Sequence, residues 1–256
     1  MYQIIITFIV LACVLVWYLL KHDHGRRLPV TSLWIACGFG VLGIIAAMLL
    51  ELNLLPKDFA VSPLSIPIAK RFTFFMSVGF LEEAAKFIPL ALFIYKKSYF
   101  KEHTDGVIFF AICGLTFGLF ENIMYTVSYG SNVGIARLIM TPFFHAASTS
   151  ILGYYLVNMK INKANKTKFV LACLLLPVMH GFYDFGLGSG LAVLAIFSLM
   201  ITLLLTIGLF LYFMAANDLD KAAVASIPIN SLNYCKFCGK PNANHKMFCE
   251  YCGRHI

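Results

Sequence analysis

Seven ionisable residues sit inside long apolar runs, where a chain has no ordinary use for them. Glu82, Glu83 and Lys86 occur together as Glu82-Glu-Ala-Ala-Lys86, and Glu121 closes Phe117-Gly-Leu-Phe-Glu121-Asn122. His145 ends Pro142-Phe-Phe-His145, and His180 and Asp184 share His180-Gly-Phe-Tyr-Asp184. The spacings are those of a helix face: Glu82 and Lys86 at i and i+4, Glu83 and Lys86 at i and i+3, His180 and Asp184 again at i and i+4, with Phe117, Glu121 and Tyr125 as a further stripe. The chemistry such a set can do is activation of water. A glutamate withdrawn from water is a stronger base than one at a surface, and histidines can hold a metal or donate to a developing oxyanion. No Ser-His or Cys-His pair is evident, since Ser148 and Ser150 have no motif around them, and HExxH is absent.

The elements that must position these residues are membrane spans. Apolar residues make up 60% of the chain and charged residues 12%, with a mean hydropathy of +0.82. A soluble domain keeps roughly a quarter of its residues charged, so this surface faces lipid. Seven runs approach the length of about 20 residues that a spanning helix needs: 2–20, 30–50, 73–95, 106–127, 138–158, 169–185 and 192–214. They are too long and too seldom alternating for barrel strands. The fold class is an all-α polytopic membrane protein, a bundle of about seven transmembrane helices. A charge at the centre of a spanning helix costs about 2.5–3.5 kcal/mol on insertion scales and normally marks function. Here such residues fall in four consecutive spans, the third to the sixth.

The net charge of +8 is explained by topology. Lys21, Arg26, Arg27, Lys96, Lys97, Lys101, Lys160, Lys163, Lys166 and Lys168 follow the odd-numbered spans, against Lys57, Lys70, Arg71 and Arg137 in the alternate loops. This positive-inside pattern predicts the N-terminus outside, the C-terminal tail in the cytoplasm, and no nucleic-acid partner. The first run has no basic residue before its apolar stretch, so it reads as a span and not a cleaved signal. At 1.5 Å per residue Glu82 lies about 14 Å below the outer edge of its span and His145 roughly 10 Å in, so the polar residues share one level, nearer the outer face. Pro142 and Pro177 each precede a histidine by three residues and are expected to bend their helices there. The stretch 52–72, with Pro56, Pro63 and Pro67, is placed along the outer surface.

Eight cysteines divide into two sets. Cys13, Cys37, Cys113 and Cys173 are scattered in spans, where a thiol behaves as a small hydrophobe. Cys235, Cys238, Cys249 and Cys252 form two Cys-x2-Cys knuckles in a near-repeat, Tyr234-Cys-Lys-Phe-Cys-Gly-Lys240 and Phe248-Cys-Glu-Tyr-Cys-Gly-Arg254. Four soft ligands suit tetrahedral structural zinc, and so short a segment must draw its folding energy from the metal. A disulfide reading does not fit a cytoplasmic tail. The domains are therefore 1–215 in the membrane, a linker over 216–232, and a small cytoplasmic zinc ribbon over 233–256, a module commonly used to contact a protein partner.

The four polar motifs, in order and each on its own span over 73–184, resemble those of PrsW-type intramembrane proteases, relatives of the CAAX-protease-like membrane endopeptidases. The resemblance implies hydrolysis of a peptide bond in a single-span membrane protein near the extracytoplasmic face of a bacterial plasma membrane, by analogy with site-one cleavage of an anti-sigma factor. It implies Glu82 as general base, with Glu121, His145 and His180 around the same water as metal ligands or as direct polarising groups. Asp184 would orient His180 or stabilise the oxyanion, and Glu83 and Lys86 would form a neutralising pair. Whether the site holds a divalent metal stays open: three N/O ligands suit zinc, while the prenyl-protease relatives suggest a metal-free route. The ribbon lies outside the resemblance. Two other classes use similar parts, a proton-coupled transporter and a non-catalytic membrane adaptor working through its ribbon. A transporter would usually show inverted repeats, and none is evident.

Overall fold

The computed structural model describes residues 2–26, 28–56, 66–138, 140–163, 166–225, 232–235, 237–243, 248–249 and 251–255. Arg27, Lys57, Pro63, the expected linker residues 226–231, and Lys236 and Glu250 of the knuckles lie outside them. The described chain is a helical bundle followed by a two-stranded ribbon: α1 (Tyr2–His22), α2 (Val30–Leu54), α3 (Ile68–Ile94), α4 (His103–Tyr129), α5 (Ser131–Arg137), α6 (Met140–Asn162), α7 (Lys166–Gly188), α8 (Ala192–Ala225), β1 (Leu232–Tyr234) and β2 (Pro241–Ala243). All seven expected runs are helices, and α5 is an extra short helix ahead of the fifth.

By length and composition α1, α2, α4, α7 and α8 can each cross a membrane, as can α5 and α6 taken together across a 43° bend. What sets α3 apart is its load of Lys70, Arg71, Glu82, Glu83 and Lys86. It nonetheless packs inside the bundle, against α7, α2 and α6. Helix α8 shows how the lipid face arises: Val193, Ile196, Met200, Leu203, Ile207, Leu211 and Met214 are exposed along one side, while Ser198, Ile201, Thr202, Leu205, Leu209 and Phe213 are buried on the other.

The centre of the bundle is α4, which touches α1, α2, α3, α5, α6 and α8 and is buried along nearly its whole length. Its approach to α6 is made by small residues. A Cβ at Gly114 would lie 2.7 Å from the His145 carbonyl carbon, and one at Gly118 would lie 2.7 Å from His145 Cδ2. These glycines, one turn apart, form the slot that seats the His145 turn, in the manner of small-residue packing between membrane helices. The helices α3 and α7 meet just as closely at Gly79 and Gly181, where a Cβ on either would strike the opposing backbone.

The three basic loops converge at one end of the bundle. Lys160 Nζ donates to the carbonyls of Lys97 at 3.2 Å and Phe100 at 2.5 Å, and Arg26 pairs with Glu102 at 2.9 Å and Asp105 at 3.3 Å. The ribbon reaches the same end, with Lys240 Nζ donating to the His24 carbonyl at 3.0 Å. Helix α8 runs on to Ala225, so the first part of the expected linker is helical. The reason is a set of anchors beyond the span: Asp220 accepts the His103 and Thr104 amides at 2.8 and 2.9 Å and the His103 ring at 2.8 Å, and Asn217 Oδ1 accepts the His24 amide at 2.9 Å. One further expectation changes: the stretch 52–72 is shortened from both sides, since α2 continues to Leu54 and α3 begins at Ile68. Pro142 lies in the first turn of α6, just past the break at which α5 and α6 meet at 43°. Pro177 is interior to α7.

Two outcomes follow. Gly114→Val should overpack the α4–α6 contact and lower stability by about 1–3 kcal/mol, read as a lower melting temperature in detergent; an unchanged melt would show that the contact is loose. At the basic end, burial pushes the Asp23 carboxyl from 3.8 up to about 6, with Glu102 adding repulsion and the Gly25 amide opposing it. The stability this raised value contributes is complete below about pH 4 and is lost as pH rises through 6. Asp23→Asn should therefore match the wild type at pH 4 and exceed it at pH 8 in the same assay.

Candidate active site

The third span supplies the hub. Glu83 Oε1 accepts three hydrogen bonds, from Lys86 Nζ at 2.7 Å, His180 Nδ1 at 2.8 Å and Ser148 Oγ at 2.9 Å, so one oxygen on α3 fixes side chains from α6 and α7. Lys86 is fully buried, as an ammonium can be when its protons are spent on partners. It donates a second bond to His145 Nδ1 at 2.8 Å, lies 4.0 Å from Glu82 Oε2, and rests 4.6 Å from the centre of the Phe117 ring.

These bonds assign the histidine tautomers. With Nδ1 accepting from Lys86, His145 carries its proton on Nε2 and donates it to Glu121 Oε2 at 2.6 Å. The other Glu121 oxygen is paired with Arg137 Nη2 at 2.5 Å. Glu121, expected beside the same water as the histidines, thus has both oxygens engaged by protein partners. His180 donates from Nδ1 to Glu83, and in the neutral ring this makes Nε2 an acceptor. That nitrogen faces Glu82 Oε2 and Asp184 Oδ2, each at 3.4 Å. Both of those oxygens are buried with no hydrogen-bond partner among the described residues. Phe144 stacks on Tyr183 with centroids 4.2 Å apart and sets its edge toward both imidazoles, walling the site with rings.

All seven expected residues therefore belong to one connected group. Its charges sort into two closed pairs, Lys86 with Glu83 and Arg137 with Glu121, and an open set made of Glu82, Asp184 and the acceptor nitrogen of His180. Three acceptors converging without a donor fit a divalent cation or a polarised water. The Glu83–His180 bond is the carboxylate–imidazole support that metal-binding histidines usually have. Glu82, His145 and His180 each place one donor atom within 4.8 Å of the others, so the residues fit a metal. His145 could join only by releasing Lys86 or Glu121.

Sequence reasoning missed three members. Arg137 reads as a loop cation between spans, and Ser148 has no motif. Asn122, quoted only as part of a motif, accepts from Arg137 Nε at 3.1 Å. The signal that could have found Arg137 was its place at the N-terminal edge of the fifth run, one helix away from an unpaired glutamate.

The second centre is the ribbon. Strands β1 and β2 pair antiparallel, and the turns end at Gly239 (φ 69°) and Gly253 (φ 73°), where a left-handed backbone is needed. Cys235 and Cys252 Sγ lie 3.6 Å apart, as do Cys238 and Cys249, too far for disulfides. The four sulfurs lie within 4.8 Å of one another and could hold a metal ion. Burial opposes ionisation of Cys249, yet the amides of Cys252 and Tyr251 outweigh it and bring the thiol down to about 6.

Fold and site together define a membrane-embedded carboxylate–histidine centre with a cysteine-knuckle tail. The profile described as PrsW family intramembrane metalloprotease matches residues 28–214, and the chain belongs to that family. It is 35% identical over 124 residues to Protease PrsW of Shouchella clausii, covering 48% of this chain and 56% of the relative. The figures are 34% over 116 residues for Protease PrsW of Bacillus subtilis, covering 44% and 53%, and 30% over 173 residues for that of Halalkalibacterium halodurans, covering 66% and 76%. The chain thus spans little more than half the length of the first two relatives. No solved structure matches.

For the ribbon, Cys235→Ser should remove its metal, measured by elemental analysis of the purified protein, and leave the melting of the membrane bundle unchanged. Full metal content in that variant would mean that the knuckles do not form the site.

Proposed function

We propose that this integral membrane protein is an endopeptidase that hydrolyses a peptide bond of a membrane-anchored protein, with Glu82 as the general base. The observation that carries the reading is the donor-free convergence of Glu82 Oε2, Asp184 Oδ2 and His180 Nε2 in an otherwise charge-paired, buried site. His180 and His145, whose donor atoms lie within 4.8 Å of Glu82, would hold a divalent cation beside that base once His145 Nδ1 releases Lys86, and zinc is the best match to an N/O donor set. When bound, such an ion supplies Lewis acidity toward water and the peptide carbonyl. Glu82 takes a proton from the attacking water, the water oxygen bonds to the carbonyl carbon, the C–N bond breaks, and Glu82 returns the proton to the leaving amine. Lys86, 4.0 Å from Glu82 Oε2, balances the carboxylate before it accepts that proton. The aromatic wall of Phe144 and Tyr183 limits the water that reaches the site.

The charge pattern supports an N-terminus outside and a cytoplasmic ribbon in a bacterial plasma membrane, with cleavage toward the extracytoplasmic face. The family resemblance supports a single-span anti-sigma factor as substrate. The ribbon is read as structural zinc, with a cytoplasmic protein as its partner. The experiment is a comparison of newly formed protein N-termini in cells carrying wild type or Glu82→Gln under envelope stress. Products present only with wild type, near the outer ends of single-span proteins, are the expected result. Identical sets at equal expression would remove the protease reading and favour a transporter or an adaptor.

A further inference from the structure

We infer that Arg137 is a positioning residue of the hydrolytic site, acting through Glu121; the inference rests on the protease reading above. Arg137 ends the short helix α5, between the two spans that carry Glu121 and His145. Among the described residues its side-chain ion pair, hydrogen bond and ring contact are all with α4. Nη2 pairs with Glu121 Oε1 at 2.5 Å, Nε donates to Asn122 Oδ1 at 3.1 Å, and Cζ lies 3.9 Å from the centre of the Tyr125 ring. Its backbone carbonyl accepts from Asn122 Nδ2 at 3.3 Å, and the side chain is only 12% exposed.

These contacts do two separable jobs. Asn122, itself uncharged, fastens α5 to α4 by donating to the Arg137 carbonyl and accepting from the guanidinium Nε. The charge is needed by Glu121 alone, which is 5% exposed and has no other cationic side chain bonded to it among the described residues. A buried carboxylate that loses its counter-ion is costly where it stands. Without Arg137 it would turn toward water or another donor and give up the 2.6 Å bond to His145 Nε2. The His145 ring would then keep only its contact with Lys86, and its orientation in the site would no longer be fixed. Arg137 thus holds an imidazole it does not touch, through one intervening carboxylate, as outer-shell partners do in metal and hydrolase sites.

The test uses the full chain in detergent or liposomes and a peptide spanning a cleavage position found in cells. Arg137→Gln should lower kcat by about 10–100-fold, the usual cost of an outer-shell partner, with KM little changed. Arg137→Lys should retain part of the rate, and Arg137→Gln should add no loss in a Glu121→Gln background, since the two act as one unit. A readout that needs no turnover is the rate at which diethyl pyrocarbonate modifies His145, followed by mass spectrometry. It should rise several-fold in Arg137→Gln and stay unchanged in Asn122→Ala, which loosens α5 but leaves the ion pair. Additive losses in the double variant, or equal His145 reactivity in wild type and Arg137→Gln, would overturn the inference. A wild type that cleaves nothing would overturn the protease reading, and the His145 reactivity would still decide the role of Arg137.

Discussion

A buried charge in a bilayer must be matched by another, and the whole arrangement follows from how nearly this bundle meets that demand. Lys86 and Glu83 close one pair on a single helix, and Arg137 and Glu121 close another between neighbouring helices. Two carboxylates, Glu82 and Asp184, are left facing an imidazole acceptor. A cation, a water or a proton would relieve this imbalance, so the feature that costs stability is also what equips the site to bind. Each paired group in turn fixes an uncharged one: Glu83 orients His180, and Glu121 orients His145.

The geometry of the helices exists to bring these groups to one level. Bonds of 2.6 to 2.9 Å between side chains on α3, α4, α6 and α7 require backbones that approach closely, and glycines at those crossings allow it. Gly114 and Gly118 seat the turn that carries His145, while Gly79 and Gly181 set α3 against α7. The aromatic residues fill what the polar groups leave. Phe117 lies beneath Lys86, and Phe144 packs against both histidine rings, so aromatic rings line the charged group.

Much of this was legible in the sequence for a physical reason. Glu82, Glu83, Lys86, Glu121, His145, His180 and Asp184 are conspicuous because lipid makes each of them expensive, and i, i+4 spacing gives the face they share. The cysteine knuckles are legible because chelation is local. What was not legible depends on rotation and on segments between spans. No spacing says that Glu83 and not Asp184 would take the Nδ1 proton of His180. Arg137 looks like a loop charge until α5 folds it onto Glu121. The helical stretch ending at Ala225 reads as linker because it is no longer apolar, and its helicity comes from partners such as His103 and His24 that are distant in sequence.

The charges of α3 bear on how the protein is made. With Lys70, Arg71, Glu82, Glu83 and Lys86 along it, α3 is a poor candidate for partitioning into lipid by itself, and its partners on α6 and α7 are synthesised later. Stable placement of α3 is thereby coupled to helices made after it: its Glu83 gains the bonds of Ser148 and His180 only when α6 and α7 are present.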